Sequence, residues 1–237
     1  MKVLIIGDSH AAILQKGKDL MAVEDGCHAH IDITINPLGN GRLLATPFFV
    51  DRGDHAEIVN PTYRRRFARL PLVEEAGTSI VYGFSGPLHS SRVWRHPDWS
   101  RFAPAAVADE EAPVSAALIR RIVLDDQKYV LGLLDILMRA GKRTFVIEPP
   151  LPFRHHRALK DIRPEVLIHT DGEYRTIVRQ ELSKRSIPVV SVPAECIGAD
   201  GFMLDSFKAE RDNDQHHGNT QFGRLMMKAI VKFLEKP

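Results

Sequence analysis

Val3-Leu4-Ile5-Ile6-Gly7-Asp8-Ser9-His10 begins with four consecutive aliphatic residues and halts at a glycine. A half-solvated strand would alternate polar and apolar residues. An unbroken aliphatic run instead suits a strand buried on both faces of a parallel sheet. Gly7 permits a sharp turn, and the polar residues after it stand at the carboxyl end of that strand. Ala12, Ile13, Leu20 and Met21 then predict a helix over 9–21. Strand followed directly by helix is the first half of a βα unit.

The rest of the chain repeats that alternation. Residues 31–35 (Ile-Asp-Ile-Thr-Ile) read as a second strand, nearer a sheet edge, and residues 78–84 as a third. Apolar positions at three and four spacing over 115–140 predict one long amphipathic helix, or two joined near Asp125-Asp126, with Gly141 as the C′ residue. A fourth strand over 143–148 stops at Pro149-Pro150. A helix over 171–186 takes Asp171 as its N-cap, a fifth strand spans 187–192, and residues 220–234 close the chain as a helix. Five such units predict an α/β fold, a three-layer α/β/α domain over residues 1–237 with a five-stranded parallel sheet. Two stretches fall outside the pattern, at about 37–77 and 85–114. Both follow carboxyl ends of strands, where open α/β sheets bind ligands, so they are expected to wall one cleft. Trp94 and Trp99 in the second stretch either line that cleft or form the insertion's own core.

Composition narrows the function. With 44% hydrophobic and 26% charged residues the chain is an ordinary globular one, which excludes disorder. Lys plus Arg number 32 against 30 Asp plus Glu, a net of +2 that offers no basic face to nucleic acid. Cys27 and Cys196 lie far apart and form no redox or zinc motif, so each reads as a buried thiol. His155-His156 and His169 find no carboxylate or thiolate at ligand spacing, and no metal is expected. No apolar run is long enough for a membrane span, and the apolar start is too short for a secretory leader. A cytoplasmic location is expected. With neither G-x-G-x-x-G nor a P-loop, no nucleotide cofactor is expected.

Two short segments carry chemistry. In Gly7-Asp8-Ser9-His10 a serine sits at a strand-to-helix turn, where neighbouring amides can hold a negative oxygen. The same residues also suit simple helix capping. Asp214-Gln215-His216-His217-Gly218-Asn219 precedes the last helix and sets an acid three residues before a histidine. A serine nucleophile needs such a base, and the base needs an orienting acid. In a parallel sheet both segments lie at one edge, so Ser9 and His217 can meet across the sequence.

The pair resembles the motifs of the SGNH, or GDSL-type, hydrolase superfamily. Gly7-Asp8-Ser9 matches its first block, and Asp214, His217 and Asn219 match its last, with Phe222-Gly223 opening the following helix. The resemblance implies a flavodoxin-like fold, Ser9 as nucleophile, His217 as base and Asp214 as the group that orients it. It implies an oxyanion held by the Ser9 amide, a glycine amide after the second strand, and an asparagine after the third. Gly39 is the candidate glycine, with Gly41 close behind. The chain departs from the family at the asparagine: Gly83–Ser91 contains none, leaving Ser85, His89 or Ser90 as possible donors. The implied activity is hydrolysis of small acyl esters of a polar or carbohydrate alcohol, without cofactor. The rivals are acyl transfer on the same fold and a binding domain that has lost catalysis.

Overall fold

The computed structural model describes residues 1–25, 30–73, 79–211 and 213–236. Cys27 and Thr78 lie outside the described residues. The first half runs β1 (Lys2–Gly7), α1 (Ala11–Glu24), β2 (Asp32–Ile35), β3 (Phe49–Asp51), β4 (Ala56–Ile58), α2 (Pro61–Arg64), β5 (Arg69–Leu70), β6 (Ile80–Ser85) and α3 (Ser91–Trp94). The second half runs β7 (Phe102–Pro104), β8 (Ala112–Val114), α4 (Ala116–Arg139), β9 (Thr144–Ile147), α5 (Pro164–Lys184), β10 (Val189–Val190) and α6 (Thr220–Leu234).

Five parallel strands form the central sheet in the order β10–β9–β6–β1–β2. This is the doubly wound order of flavodoxin-like folds, in which the chain reverses direction across the sheet beside its first strand. As expected, β2 is an edge strand and β1 is central. The residues of β1 show why its run is unbroken. Leu4 and Ile6 join a core beneath α4 and α5, while Val3 and Ile5 join a second core beneath α1 and α6. Both faces of the strand are therefore dry.

The two irregular stretches hold small sheets of their own. One carries the antiparallel trio β3–β4–β5, the other the pair β7–β8. Trp94 and Trp99 are buried in the core with α4 and α5. Each indole N–H is satisfied inside, Trp94 by Ser90 Oγ at 3.0 Å and Trp99 by the Val93 carbonyl at 3.0 Å. They are core and absent from the wall of the open cleft that contains Ser9, and Trp94 borders a small cavity with His10, His89 and His216.

Some boundaries move. Residues 116–139 form one continuous helix, capped by Ser115, whose hydroxyl accepts from the Leu118 amide at 3.3 Å. The helix expected to begin at Asp171 begins at Pro164, whose missing N–H costs nothing in a first turn. Asp171 instead sits buried inside α5, ion-paired with Arg175 at 2.8 Å and accepting from Ser90 Oγ. Among the described residues no helix is long and apolar enough to cross a membrane.

Candidate active site

The turn after β1 is possible only for glycine. Gly7 adopts φ 132°, and a Cβ there would stand 1.7 Å from the Ser85 carbonyl oxygen. The backbones of β1 and β6 can thus close together, and the Asp8 amide donates to that same carbonyl at 2.9 Å. Asp8 does not cap α1. Its carboxylate accepts from the His10 amide at 3.0 Å, a local turn that exposes Ser9 at the carboxyl edge of the sheet.

The last loop is fixed from both ends. The Ala209 amide donates to the His217 carbonyl at 3.1 Å, and Asn219 caps α6 by accepting from the Phe222 amide at 3.0 Å. Asp214 accepts from the His217 amide at 3.2 Å. Helices α1 and α6 pack with Gly17 against Gly223, where a Cβ on either would meet backbone at 2.0–2.3 Å. That close crossing draws the two loops together.

Ser9, His217 and Asp214 form a hydrogen-bonded row. Ser9 Oγ lies 2.9 Å from His217 Nε2, and both oxygens of Asp214 lie 2.9 Å from His217 Nδ1. The carboxylate accepts the hydrogen bond from Nδ1–H, which leaves the Nε2 lone pair facing the serine hydroxyl. Burial lowers the pKa of His217, His10 adds to the effect, and Asp214 pulls the other way. Burial also opposes ionisation of Asp214, yet His217 draws its carboxyl below the usual range. An open cleft of about 330 Å³ fronts the row and includes Ile13, Lys16 and Arg211 in its walls.

No family model and no curated protein matches the chain by sequence. The fold, however, is a known one. An acetyl xylan esterase (AlAXEase) superposes with a TM-score of 0.53 at 11% identity, covering 99% of this chain and 100% of that one. Est24, a carbohydrate acetylesterase from Sinorhizobium meliloti, gives 0.51 at 12% identity over 98% and 97%. A GDSL-like lipase from Bacteroides thetaiotaomicron gives 0.52 at 8% identity over 99% and 87%. The chain has the SGNH/GDSL hydrolase fold.

Within that SGNH frame the remaining site residues are distributed unevenly. Gly39 (φ 144°) stands beside the end of β1, where the Leu38 amide donates to the Gly7 carbonyl at 2.8 Å. Gly41 packs against the residue before Ser9: a Cβ there would lie 3.0 Å from Asp8 Oδ2 and 3.4 Å from His89 Nδ1. Ser85 is buried, with its carbonyl on Asp8. His89 Nδ1 lies 2.8 Å from Asp8 Oδ2, and its Nε2 lies 2.5 Å from Ser91 Oγ. Ser90 is committed to Asp171 and Trp94. The segment after β6 therefore directs its His89 and Ser90 side chains into a buried network.

That network is what sequence reading missed. Asp8 is fully buried and faces two imidazoles, since His10 Nδ1 also lies 3.1 Å from its Oδ1. Burial opposes its ionisation, but His10 and His89 overcome it and hold the carboxyl well below the usual range. Burial and His10 push His89 down to about 3, and burial with the surrounding imidazoles pushes His216 down to about 3. The visible signals were a histidine directly after the serine and the His216-His217 doublet. Nearby, Arg175 joins Asp171 to Glu148 at 2.9 Å, and Arg179 reaches Glu148 at 2.8 Å.

Proposed function

We propose that this chain is a serine acyl hydrolase of the SGNH type, using Ser9 as nucleophile, His217 as general base and Asp214 as its orienting acid. The observation that carries the reading is the row Asp214–His217–Ser9, with 2.9 Å at each step. Ser9 Oγ attacks an ester carbonyl while its proton passes to His217 Nε2. The tetrahedral oxyanion is met by the amides of Ser9 and Gly39. His217 then protonates the leaving alcohol, and water, activated by the same imidazole, releases the acid from Ser9.

The proposed substrate is a small acyl ester of a polar or carbohydrate alcohol. Two of the structures sharing the fold are named for such esters. Lys16, Glu210 and Arg211 line the cleft at Ser9 and suit a hydroxyl-rich alcohol better than a long acyl chain. A site with two amide donors in place of three is expected to be slow, because losing one donor commonly costs about 10²–10³ in rate.

The test uses p-nitrophenyl acetate and butyrate, together with a fluorophosphonate probe read by intact mass. Parent protein is expected to turn over the acetate and to take one adduct. Ser9→Ala is expected to lose the adduct and at least about 10³-fold in rate. Folded parent protein with neither turnover nor adduct would sink the hydrolase reading and leave a binding domain.

A further inference from the structure

Three imidazoles outside the proposed triad converge behind Ser9. Ligand atoms of His10, His89 and His216 all lie within 4.8 Å of one another. Their ring centroids are separated by 4.3, 5.6 and 5.9 Å. Three imidazoles on one tetrahedral zinc, at a Zn–N distance of about 2.0–2.1 Å, place their centroids about 5.2 Å apart. The observed separations straddle that value, so small side-chain rotations close the set.

The outer contacts fit as well. Asp8 Oδ1 and Oδ2 face the Nδ1 atoms of His10 and His89 at 3.1 and 2.8 Å. One carboxylate thereby orients both rings through Nδ1, the arrangement that metal-binding imidazoles use, and a cation would take His89 Nε2 in place of its present partner, Ser91 Oγ at 2.5 Å. His10 Nε2 also lies 3.3 Å from the His216 carbonyl oxygen. A cavity of about 10 Å³ has all three rings in its wall, along with Ser91 and Gln215. That is room for one water or one ion and for no organic ligand.

We propose that His10, His89 and His216 form a site for one zinc ion, with Asp8 orienting two of the three ligands. Imidazole donors select zinc and its first-row neighbours over calcium and magnesium, which demand oxygen. Three protein ligands leave the fourth position to water. The alternative set Asp214, His216 and His217 would have to dismantle the row on Ser9. No spacing rule links residues 10, 89 and 216; only the fold brings them together, against the expectation of no metal. The inference does not depend on the hydrolase reading.

The test takes the untagged chain, strips it with a chelator and dialyses it against Zn²⁺. Metal is counted by plasma mass spectrometry, affinity is measured against a chromophoric chelator, and a Co²⁺-loaded sample is read for tetrahedral d–d bands. One zinc per chain and a tetrahedral Co²⁺ spectrum are expected. His89→Gln and His216→Ala should each weaken binding at least about tenfold, while Asp214→Asn should not. His89 is buried, so circular dichroism accompanies each variant, and the partly exposed His216 supplies one expected to keep its fold. No stoichiometric ion in the parent, or affinity unchanged in a folded His216→Ala, overturns the site. Loss of zinc in Asp214→Asn would assign the ion to the other set and overturn it equally.

Discussion

Replacing Asp214 by Asn keeps the shape of the row and removes its logic. An amide can present its N–H to His217 Nδ1, which forces the ring proton onto Nε2 and leaves Ser9 without a base. A change of tautomer of this kind costs on the order of 10⁴ in a serine hydrolase. Asp214→Asn is therefore expected to lose about 10³–10⁴-fold in kcat on p-nitrophenyl acetate with little change in melting temperature. A drop under about tenfold would count against the role of Asp214. The pH profile belongs to the same residue. As the proposed base His217 must be neutral, and burial sets its pKa under the ordinary value near 6.5. The acid limb of kcat/KM should thus fall below pH 6.5, and a limb at or above about 6.5 would contradict the assignment. The proposed row of Ser9, Asp214 and His217 could be drawn from sequence because two short motifs stand near the two ends of the sequence. The partners of Asp8 could not, since His89 lies 81 residues away and no local pattern joins them.

At the scale of elements, the crossing of α1 and α6 decides whether the two loops meet. Gly17 lies in mid-helix, where glycine weakens a helix by up to about 1 kcal/mol relative to alanine. Its presence has a packing reason: an added Cβ would stand 2.0 Å from the Gly223 carbonyl carbon, and backbone cannot rotate away as a side chain can. Gly17→Ala should gain the propensity term and lose more to overpacking, which typically costs about 1–3 kcal/mol and more against backbone. For a domain of this size the melting temperature should drop by roughly 3–10 °C. Activity should fall further than stability explains, because a wider crossing lengthens the Ser9–His217 contact. An unchanged melting temperature would show that the helices slide apart without cost. The elements themselves were legible from periodicity wherever an apolar stripe was long, as in α4 and α6. The start of α5 was not, because an aspartate before an apolar run looks like a cap. Here Asp171 is held inside the helix by Arg175 and Ser90, a tertiary demand that sequence does not display. Pro164 was the signal passed over.

Across the whole molecule, the strand alternation implied a parallel sheet, and the flavodoxin-like resemblance implied its order; together these place every strand's carboxyl end on one edge. That edge collects imidazoles that burial keeps neutral. His89 is pushed down to about 3 by burial and His10. His156, beneath Trp94, is pushed down to about 4 by burial and the cations Arg95 and Arg157. Their side chains are only 12% and 6% exposed, so solvent screens them little. In the unfolded chain each titrates near 6.5, so below that pH the unfolded state binds protons that the fold refuses. Above about pH 6.5 the two states hold equal protons at these positions and the difference vanishes. Each group then removes about 1.4 kcal/mol per pH unit on descending from 6.5 toward its folded value. The carboxylates act later: Asp8 is held down in the fold, so its contribution is lost only as pH falls below the ordinary carboxyl range. Between pH 7 and pH 5 these histidines alone should remove roughly 2–4 kcal/mol from the chelator-stripped chain, a large share of the 5–15 kcal/mol of a typical domain. Differential scanning calorimetry should find the melting temperature falling by about 5–15 °C over that interval. The slope should shrink in His156→Gln, where one refused proton is removed. A melting temperature flat from pH 7 to 5 would mean that these rings accept protons in the folded state, through water entering the carboxyl edge.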